Sequence, residues 1–436
     1  MQKLSAVLQR LEISKSSTPG FLDASLFLLS ALLPAAYLTV RNPDLLGLLG
    51  ILILLASLIV LGREKSIRKQ ISEIHKLRLV LVSMALPTIA LLIAEPLRLD
   101  FHLRDFDGPS RMLLVIPILF ALYIRRIDFS KAILLALPLD LIAILIYAIS
   151  QGYELAGRLT VKHMNPILWG DSAMVFGFMC LYGIRSTDSI AKKTYLLIGL
   201  VVGIVMSILS QSRGGWVAGG ALLLLWGWLH RKTMSRRQLM AVTAGMIATG
   251  ILLYFFSAIV HYRIDTAFRG LSGWITGSDT QTPTGLRLTM WKIGLYLFMK
   301  HPLLGYGDHQ LMPYLNDPYI RSFADPVSIQ GIQCCGPHNE IIAQLLRSGV
   351  FGILSLAGTY FIPIYYFGKI YSESRKTSVA AAQAICLIIG YFVSALTIEM
   401  LTLKVAWTFY ALFMAGLISD VAWQRAKSSA FSLESA

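Results

Sequence analysis

The chain has 436 residues, of which 56% are hydrophobic and 14% charged, and its formal net charge is +15. Apolar stretches of about 18 or more residues recur from one end to the other, which excludes a soluble enzyme of this length. Because a helix satisfies its own backbone hydrogen bonds in lipid, this composition predicts an all-α polytopic membrane protein.

Twelve apolar segments are predicted to cross the membrane as helices. In chain order they cover 21–40, 44–62, 79–96, 112–124, 132–150, 166–184, 195–210, 214–230, 239–260, 341–368, 378–399 and 405–423. The fourth segment is short, so we expect it to tilt little or to extend into its loop. The spans divide the chain into an amphipathic N-terminus, nine helices, a large outer loop region, three helices and a tail, at 1–20, 21–260, 261–340, 341–423 and 424–436.

The basic charge of the chain follows this predicted topology. With the N-terminus inside, 24 of the 39 Lys and Arg residues fall in inner segments and only eight in the short outer loops. That distribution satisfies the positive-inside rule and places both termini in the cytoplasm, with residues 1–20 on the inner membrane surface. The positive charge is thus explained by topology, and no outer loop offers the clustered basic face that nucleic-acid binding requires.

Asp105, Asp107 and Asp140 can each be explained by an ordinary structural role. Asp105 and Asp107 form a DxD triplet on an outer loop, a pattern that can hold a divalent cation for glycosyl transfer. Two carboxylates are an incomplete site, so a solvated polar turn is favoured and no metal is predicted. Asp140 is a charge in the middle of a span, where it lines a cavity or caps a neighbouring helix, and one such residue does not make a transport pathway.

Isolated basic residues on the outer side are candidates for binding an anion. Arg158 and Lys162 precede Asn165-Pro166 and are the weaker candidates, for cationic or acceptor contacts. Arg213 lies in a polar hairpin between two long spans, and an arginine at the hydrocarbon edge is costly unless it meets an anion. The glycines after Arg213 open a helix whose N-terminal amides favour phosphate; the alternative is that Arg213 extends to lipid headgroups.

The outer loop region, 261–340, is long enough to have structure of its own. Within it, residues 283–300 have the pattern of an amphipathic helix with Thr284 as its cap. Arg287 lies one turn before Trp291 on this helix, and both are candidates for substrate contact. Surface contact with lipid is the alternative for the arginine. A helix of this kind would roof a cavity between the spans.

A histidine stands at the junction of this loop and a hydrophobic helix. His338-Asn339 is followed by nine residues and then by Gly349 and Gly352, which permit close helix packing. His338 is predicted in a first helical turn, where the helix dipole and nearby arginines keep its imidazole neutral, as a general base requires. The alternative is that it only satisfies a helix end, with Asn339 as the cap. The adjacent pair Cys334-Cys335 is not expected to form a functional disulfide or a metal site.

Together these patterns resemble the O-antigen ligase family. The resemblance rests on the twelve spans, the large outer loop near the C-terminal third, and three patches of residues. Those patches are Arg213-Gly-Gly-Trp216, Arg287 with Trp291 one turn later, and His338-Asn339 with Gly349 and Gly352. The family belongs to a superfamily with O-antigen polymerases and bacterial O-oligosaccharyltransferases. The topology matches over nearly the whole chain, whereas specific residues match only in the three patches.

The resemblance implies a reaction, its partners and its location. O-antigen polysaccharide would pass from an undecaprenyl-pyrophosphate carrier to a sugar of the lipid A core, at the periplasmic face of a Gram-negative inner membrane. His338 would be the general base, and Arg213 and Arg287 would bind the pyrophosphate. We expect no cofactor, and the partners would be the lipid-linked donor, the lipid A core acceptor and membrane lipids.

Two other functional classes stay open. An O-antigen polymerase or a protein O-oligosaccharyltransferase would share the base and the arginines and differ only in the acceptor, which we expect to bind within 261–337. A transporter of lipid-linked sugars would show paired repeats with broken helices near the membrane midplane. The sequence lacks that pattern, so the transporter is the least favoured of the three.

Overall fold

A computed structural model describes residues 20–39, 44–63, 77–152, 157–162, 164–232, 234–308, 311–373, 378–400 and 403–434. The predicted amphipathic segment 1–20 lies outside the described residues except for Gly20. Every regular element in the described ranges is a helix. Nine helices there are long and apolar enough to cross a membrane, and ten if the first two, bent by 41°, count as one span. The protein is therefore an all-α polytopic membrane protein.

Seventeen helices are numbered here, with three-residue to five-residue turns left unnumbered. They are α1 (Phe21–Ala31), α2 (Leu33–Thr39), α3 (Asp44–Arg63), α4 (Arg78–Arg98), α5 (Val115–Arg125), α6 (Phe129–Gln151), α7 (Pro166–Gly183), α8 (Ile190–Leu209), α9 (Arg213–His230), α10 (Arg236–Phe256), α11 (Ala258–Thr276), α12 (Pro283–Lys300), α13 (Pro318–Phe323), α14 (Pro326–Cys335), α15 (Glu340–Glu373), α16 (Ser378–Ser394) and α17 (Lys404–Glu434).

All twelve predicted spans lie on helices, with three differences at their ends. The predicted span 378–399 ends early, at Ser394 with α16, and neither α16 nor α9 is among the helices long and apolar enough to cross a membrane. The short fourth span extends into its loop, because helical turns from Leu103 onward lead into α5 without a break. The predicted span 239–260 ends early, at Phe256. Ser257 leaves the helical conformation there, and its side chain accepts a hydrogen bond from Val260 N at 3.4 Å, which caps α11.

The bundle has a buried centre and one helix at its margin. α7 and α17 are buried along most of their length. The most extensive contact between two helices is that of α7 with α8. A Cβ added at Gly203 of α8 would lie 2.5 Å from the carbonyl oxygen of Ala173, so glycine is needed for that close approach. α10 has no buried residue and packs chiefly against α11, so in the membrane its surface is left to lipid.

A second, smaller core lies outside the main bundle and holds α12 in place. Met290, Ile293 and Leu297 of α12 pack there against Ile342 and Leu346 at the start of α15. The predicted roof helix is thus present, although Thr282 rather than Thr284 caps it by accepting from Gly285 N at 3.0 Å. This packing fixes α12 against the helix that follows His338.

Candidate active site

A cavity of about 200 Å³ at one end of the bundle is lined by four arginines. Arg158 comes from the loop after α6, Arg213 from the first turn of α9, Arg263 from α11 and Arg287 from α12. Burial, and then the charges of Arg263 and Arg287, lower the pKa of Arg158 to about 10. Burial and then Arg263 likewise lower the pKa of Arg287. A guanidinium stays protonated at neutral pH despite such shifts, so the cavity concentrates positive charge.

These arginines are poorly paired within the protein. None of the four forms an ion pair with a carboxylate in the described part of the chain. Arg213 Nη1 lies 3.4 Å from Thr284 Oγ1 and 3.5 Å from the Arg263 carbonyl oxygen, both long hydrogen bonds. Arg158 Nε donates to Ser210 O at 2.7 Å, but its Nη2 and Arg263 Nε are buried with no acceptor among the described residues. Buried donors of this kind favour an anionic ligand.

The carboxyl group of Asp171, in α7, lies against the start of α9, next to the residues that line the cavity. The Asp171 side chain is fully buried, accepts a hydrogen bond from Ser212 Oγ at 2.5 Å and attracts Arg287. A Cβ on Gly214 or Gly215 would lie 2.7 or 2.9 Å from its carboxyl oxygens, so α9 starts directly against the carboxylate. The helix predicted after Arg213 does begin there. Because the Asp171 side chain lies against the first turn of α9, a ligand anion would meet guanidinium groups rather than the amides of that turn.

His338 lies beside this cavity, in the loop between α14 and α15. Trp291, which lines the cavity, donates from Nε1 to the carbonyl oxygen of Pro337 at 2.9 Å. Burial, and then the charge of Arg287, lower the pKa of His338, so the imidazole is neutral at neutral pH. No described residue forms a hydrogen bond with either ring nitrogen. The ring is thus available as a proton acceptor.

The backbone of His338 differs from its predicted conformation. The residue has φ of 52°, in the left-handed region, and precedes α15 by two positions instead of lying in its first turn. Its N–H donates to Glu399 Oε1 at 3.1 Å, which holds the unusual conformation. The prediction of a helical position was wrong because a helix start was inferred from the apolar pattern, and that pattern does not report the residues that precede the cap.

Asn339 caps α15, as one of the sequence interpretations had it. Its Oδ1 accepts from Ile341 N at 2.9 Å and from Ile342 N at 3.2 Å, while its Nδ2 donates to Leu396 O at 3.1 Å. The segment after α16 that receives this last bond also contributes Thr397 to the cavity lining. One segment therefore joins the histidine loop and the arginine cavity into a single site.

The structure gathers most of the predicted site residues and leaves a few elsewhere. Lys162 does not line the cavity; its side chain is exposed, and its backbone N–H donates to Gln151 Oε1 at 2.7 Å. Asp107 forms ion pairs with Arg111 and Lys404. The predicted absence of a functional disulfide is corrected in part, since the two adjacent cysteines that end α14 are joined in a disulfide.

Three residues of the site escaped the sequence reasoning. Arg263 was counted as part of a loop, although its position four residues before Ala267, which also lines the cavity, is the spacing of one helix face. Asp171 is hidden inside an otherwise apolar span. Glu399 contacts His338 across 61 positions of sequence, and no local pattern signals such a contact.

At one end of the helical bundle, this membrane protein has a cationic cavity beside a neutral histidine, an arrangement that suits an anionic ligand. Residues 198–357 match the family described as O-Antigen ligase, and this range contains Arg213, Arg263, Arg287 and His338. The chain thus carries a domain of the O-antigen ligase superfamily, which confirms the resemblance seen in the sequence. A protein of Haemophilus influenzae described as uncharacterized is 22% identical over 293 residues, 66% of this chain and 71% of its own length.

Proposed function

We propose that this protein is an O-antigen ligase. It would be a metal-independent, inverting glycosyltransferase that moves O-antigen polysaccharide from undecaprenyl pyrophosphate to a sugar of the lipid A core. The reaction would take place at the periplasmic face of a Gram-negative inner membrane, with both termini in the cytoplasm. The observation that carries this proposal is a set of four arginines around one cavity, next to a neutral histidine, that form no ion pair with any carboxylate in the ranges that the structure describes.

The arginines fit the leaving group of this reaction. Arg213 and Arg287 bind the pyrophosphate of the donor, and Arg158 and Arg263 add two further cations to the same cavity. As the bond between the anomeric carbon and the pyrophosphate oxygen breaks, its electron pair passes to the pyrophosphate. Fixed guanidinium groups stabilise that developing charge without reorganising, which lowers the barrier for departure.

His338 fits the other half of the reaction. The hydroxyl oxygen of the acceptor sugar forms the new bond to the anomeric carbon, and its proton passes to the neutral imidazole. A depressed pKa keeps His338 in the form that accepts this proton. A single direct displacement of this kind inverts the configuration at the anomeric carbon, so analysis of product stereochemistry tests the mechanism separately from the acceptor.

The test of this function is transfer with purified components. Undecaprenyl-pyrophosphate-linked glycan is mixed with lipid A core, with a carrier protein or with a second lipid-linked glycan. His338→Ala is expected to lower transfer to the lipid A core by about 100-fold or more. The matched control is His261→Ala, which removes an exposed histidine of α11 that pairs with Asp265.

The outcomes of this experiment test the catalytic mechanism and the identity of the acceptor separately. Full activity of the His338→Ala protein would show that the histidine is not the base. Transfer to protein or to another lipid-linked glycan, still dependent on His338, would support the alternative of an O-oligosaccharyltransferase or an O-antigen polymerase. A lipid-linked sugar transporter, the least favoured alternative, would give no transfer to any of the three acceptors.

A further inference from the structure

A second and larger cavity, of about 790 Å³, lies at the opposite end of the bundle from the arginines. Lys131 lines it from the first turn of α6, whose far end leads to Arg158. Lys192 lines it from the first turn of α8, whose far end leads to Arg213. α6 has 23 residues, or about 34 Å at 1.5 Å per residue. The two cavities are thus separated by about the thickness of a bilayer's hydrocarbon layer.

The rim of this second cavity is basic and its floor is apolar. Lys131, Lys192 and Lys427 stand at the rim together with Arg185, against the one carboxyl group of Asp128. None of the three lysines forms an ion pair within the described ranges. The carboxyl group of Asp128 is already used as a helix cap, since it accepts from Lys131 N at 3.0 Å. The three lysines therefore bring positive charge to the rim that is not engaged in an ion pair within the described ranges.

The floor of the cavity is built to contact hydrocarbon. Leu134, Leu196 and Ala380 are buried beneath the rim, and Trp423 forms a wall with Lys427 above its ring at 5.4 Å. A soluble anion would use only the lysines and leave this apolar surface wet. An amphipathic anion would use both, because its charged head meets the rim while its chain covers the leucines.

We infer that this cavity binds an anionic glycerophospholipid from the leaflet on the side opposite the arginine site. The headgroup phosphate lies among Lys131, Lys192 and Lys427, and an acyl chain runs along Leu134 and Leu196. The lipid would bridge the first turns of α6, α8 and α16 to the C-terminal half of α17, since all four helices contribute to the cavity. A ligand that binds only the folded bundle in this way stabilises it by mass action.

The experiment is a lipid titration of the purified full-length protein in neutral detergent. Thermal unfolding and native mass spectrometry are followed as phosphatidylglycerol or phosphatidylcholine is added. Wild type is expected to gain stability and to retain lipid with phosphatidylglycerol, and to do neither with phosphatidylcholine. In Lys131→Gln/Lys192→Gln the apparent affinity for phosphatidylglycerol is expected to fall by about tenfold or more.

The control is Lys193→Gln/Lys232→Gln, which removes the same charge from residues that do not line the cavity. Both double variants should unfold at the wild-type temperature without lipid, since the changed side chains are outside the core. Equal loss of phosphatidylglycerol binding in the two would overturn the site, as would equal binding of phosphatidylcholine by wild type. Stabilisation by glycerol 3-phosphate alone, at the same concentration, would overturn the lipid and leave an anion site.

Discussion

The chemistry proposed for His338 depends on the groups that surround its ring. Burial of the ring is the main cause of its lowered pKa, and the positive charge of Arg287 is the second. No carboxylate among the described residues forms a hydrogen bond with the ring. A base tuned in this way responds to the charge of its neighbour, which makes its protonation testable.

The first prediction concerns the pH dependence of transfer. A base must be neutral, so kcat/KM should rise with pH and level off above the pKa of His338, which lies below the ordinary value of about 6.5. Arg287→Gln removes a cation that disfavours imidazolium, so it should move this acid limb to higher pH. The pKa of His338 should return only part of the way to its ordinary value, because the ring stays buried.

The measurement is a pH profile of kcat/KM. The pH at the midpoint of its acid limb is determined independently of the maximal value of kcat/KM. Lys300→Gln is a suitable control, because it removes a cation from the same helix, where Lys300 pairs with Asp317. An acid limb that stays in place in the Arg287→Gln protein would show that the two residues are not electrostatically coupled.

At the scale of elements, α15 bends at a glycine. Gly349 has φ of 59° and ψ of −136°, which breaks the helical path within a 34-residue helix. A Cβ at this position would lie 2.5 Å from the carbonyl oxygen of Pro302, and Val350 N donates to that same oxygen at 2.9 Å. The sequence predicted that this glycine allows close helix packing. In the structure, the turn that follows α12 lies directly against it. The bend therefore joins the roof helix to the bundle.

Gly349→Ala is accordingly expected to destabilise the protein by about 1–3 kcal/mol, through backbone strain and the contact with Pro302. Gly368→Ala is the matched control in the same helix, since a Cβ there meets nothing within 4 Å and alanine favours a helix. Thermal or denaturant unfolding in detergent measures both. Equal stability of the two variants would show that the bend tolerates a side chain and is not held by Pro302.

At the scale of the whole molecule, the predicted orientation can be tested by labelling. Lys232 lies in a predicted inner segment and Ser278 in the predicted outer loop region, and both are exposed. In a Cys334→Ser/Cys335→Ser background, Ser278→Cys should react with a membrane-impermeant maleimide in spheroplasts. Lys232→Cys should react only after permeabilisation. The native Cys180 and Cys386 are buried and should stay unlabelled, and the reverse pattern would invert the topology.

Features of this protein that depend on residues close in the sequence could be predicted, whereas contacts between distant segments could not. The spans were predictable because lipid demands long apolar helices, and α12 because residues 283–300 have the pattern of an amphipathic helix. Arg213, Arg287 and His338 stood out because charged or titratable groups are costly beside hydrocarbon. The partnership of His338 with Glu399, and of Asp171 with the start of α9, arises only when distant segments meet. No local pattern encodes such contacts.

The four arginines also bear on the fate of the spent carrier. When the glycosyl bond breaks, the terminal phosphate is no longer esterified, so the lipid pyrophosphate that remains is more negative than the donor was. On the proposed function, a cavity with four cations and one buried carboxylate retains that product more firmly than it held the donor. Turnover would then be limited by carrier departure. In a membrane that contains much undecaprenyl pyrophosphate, the enzyme would stay occupied by this product until the carrier had been recycled.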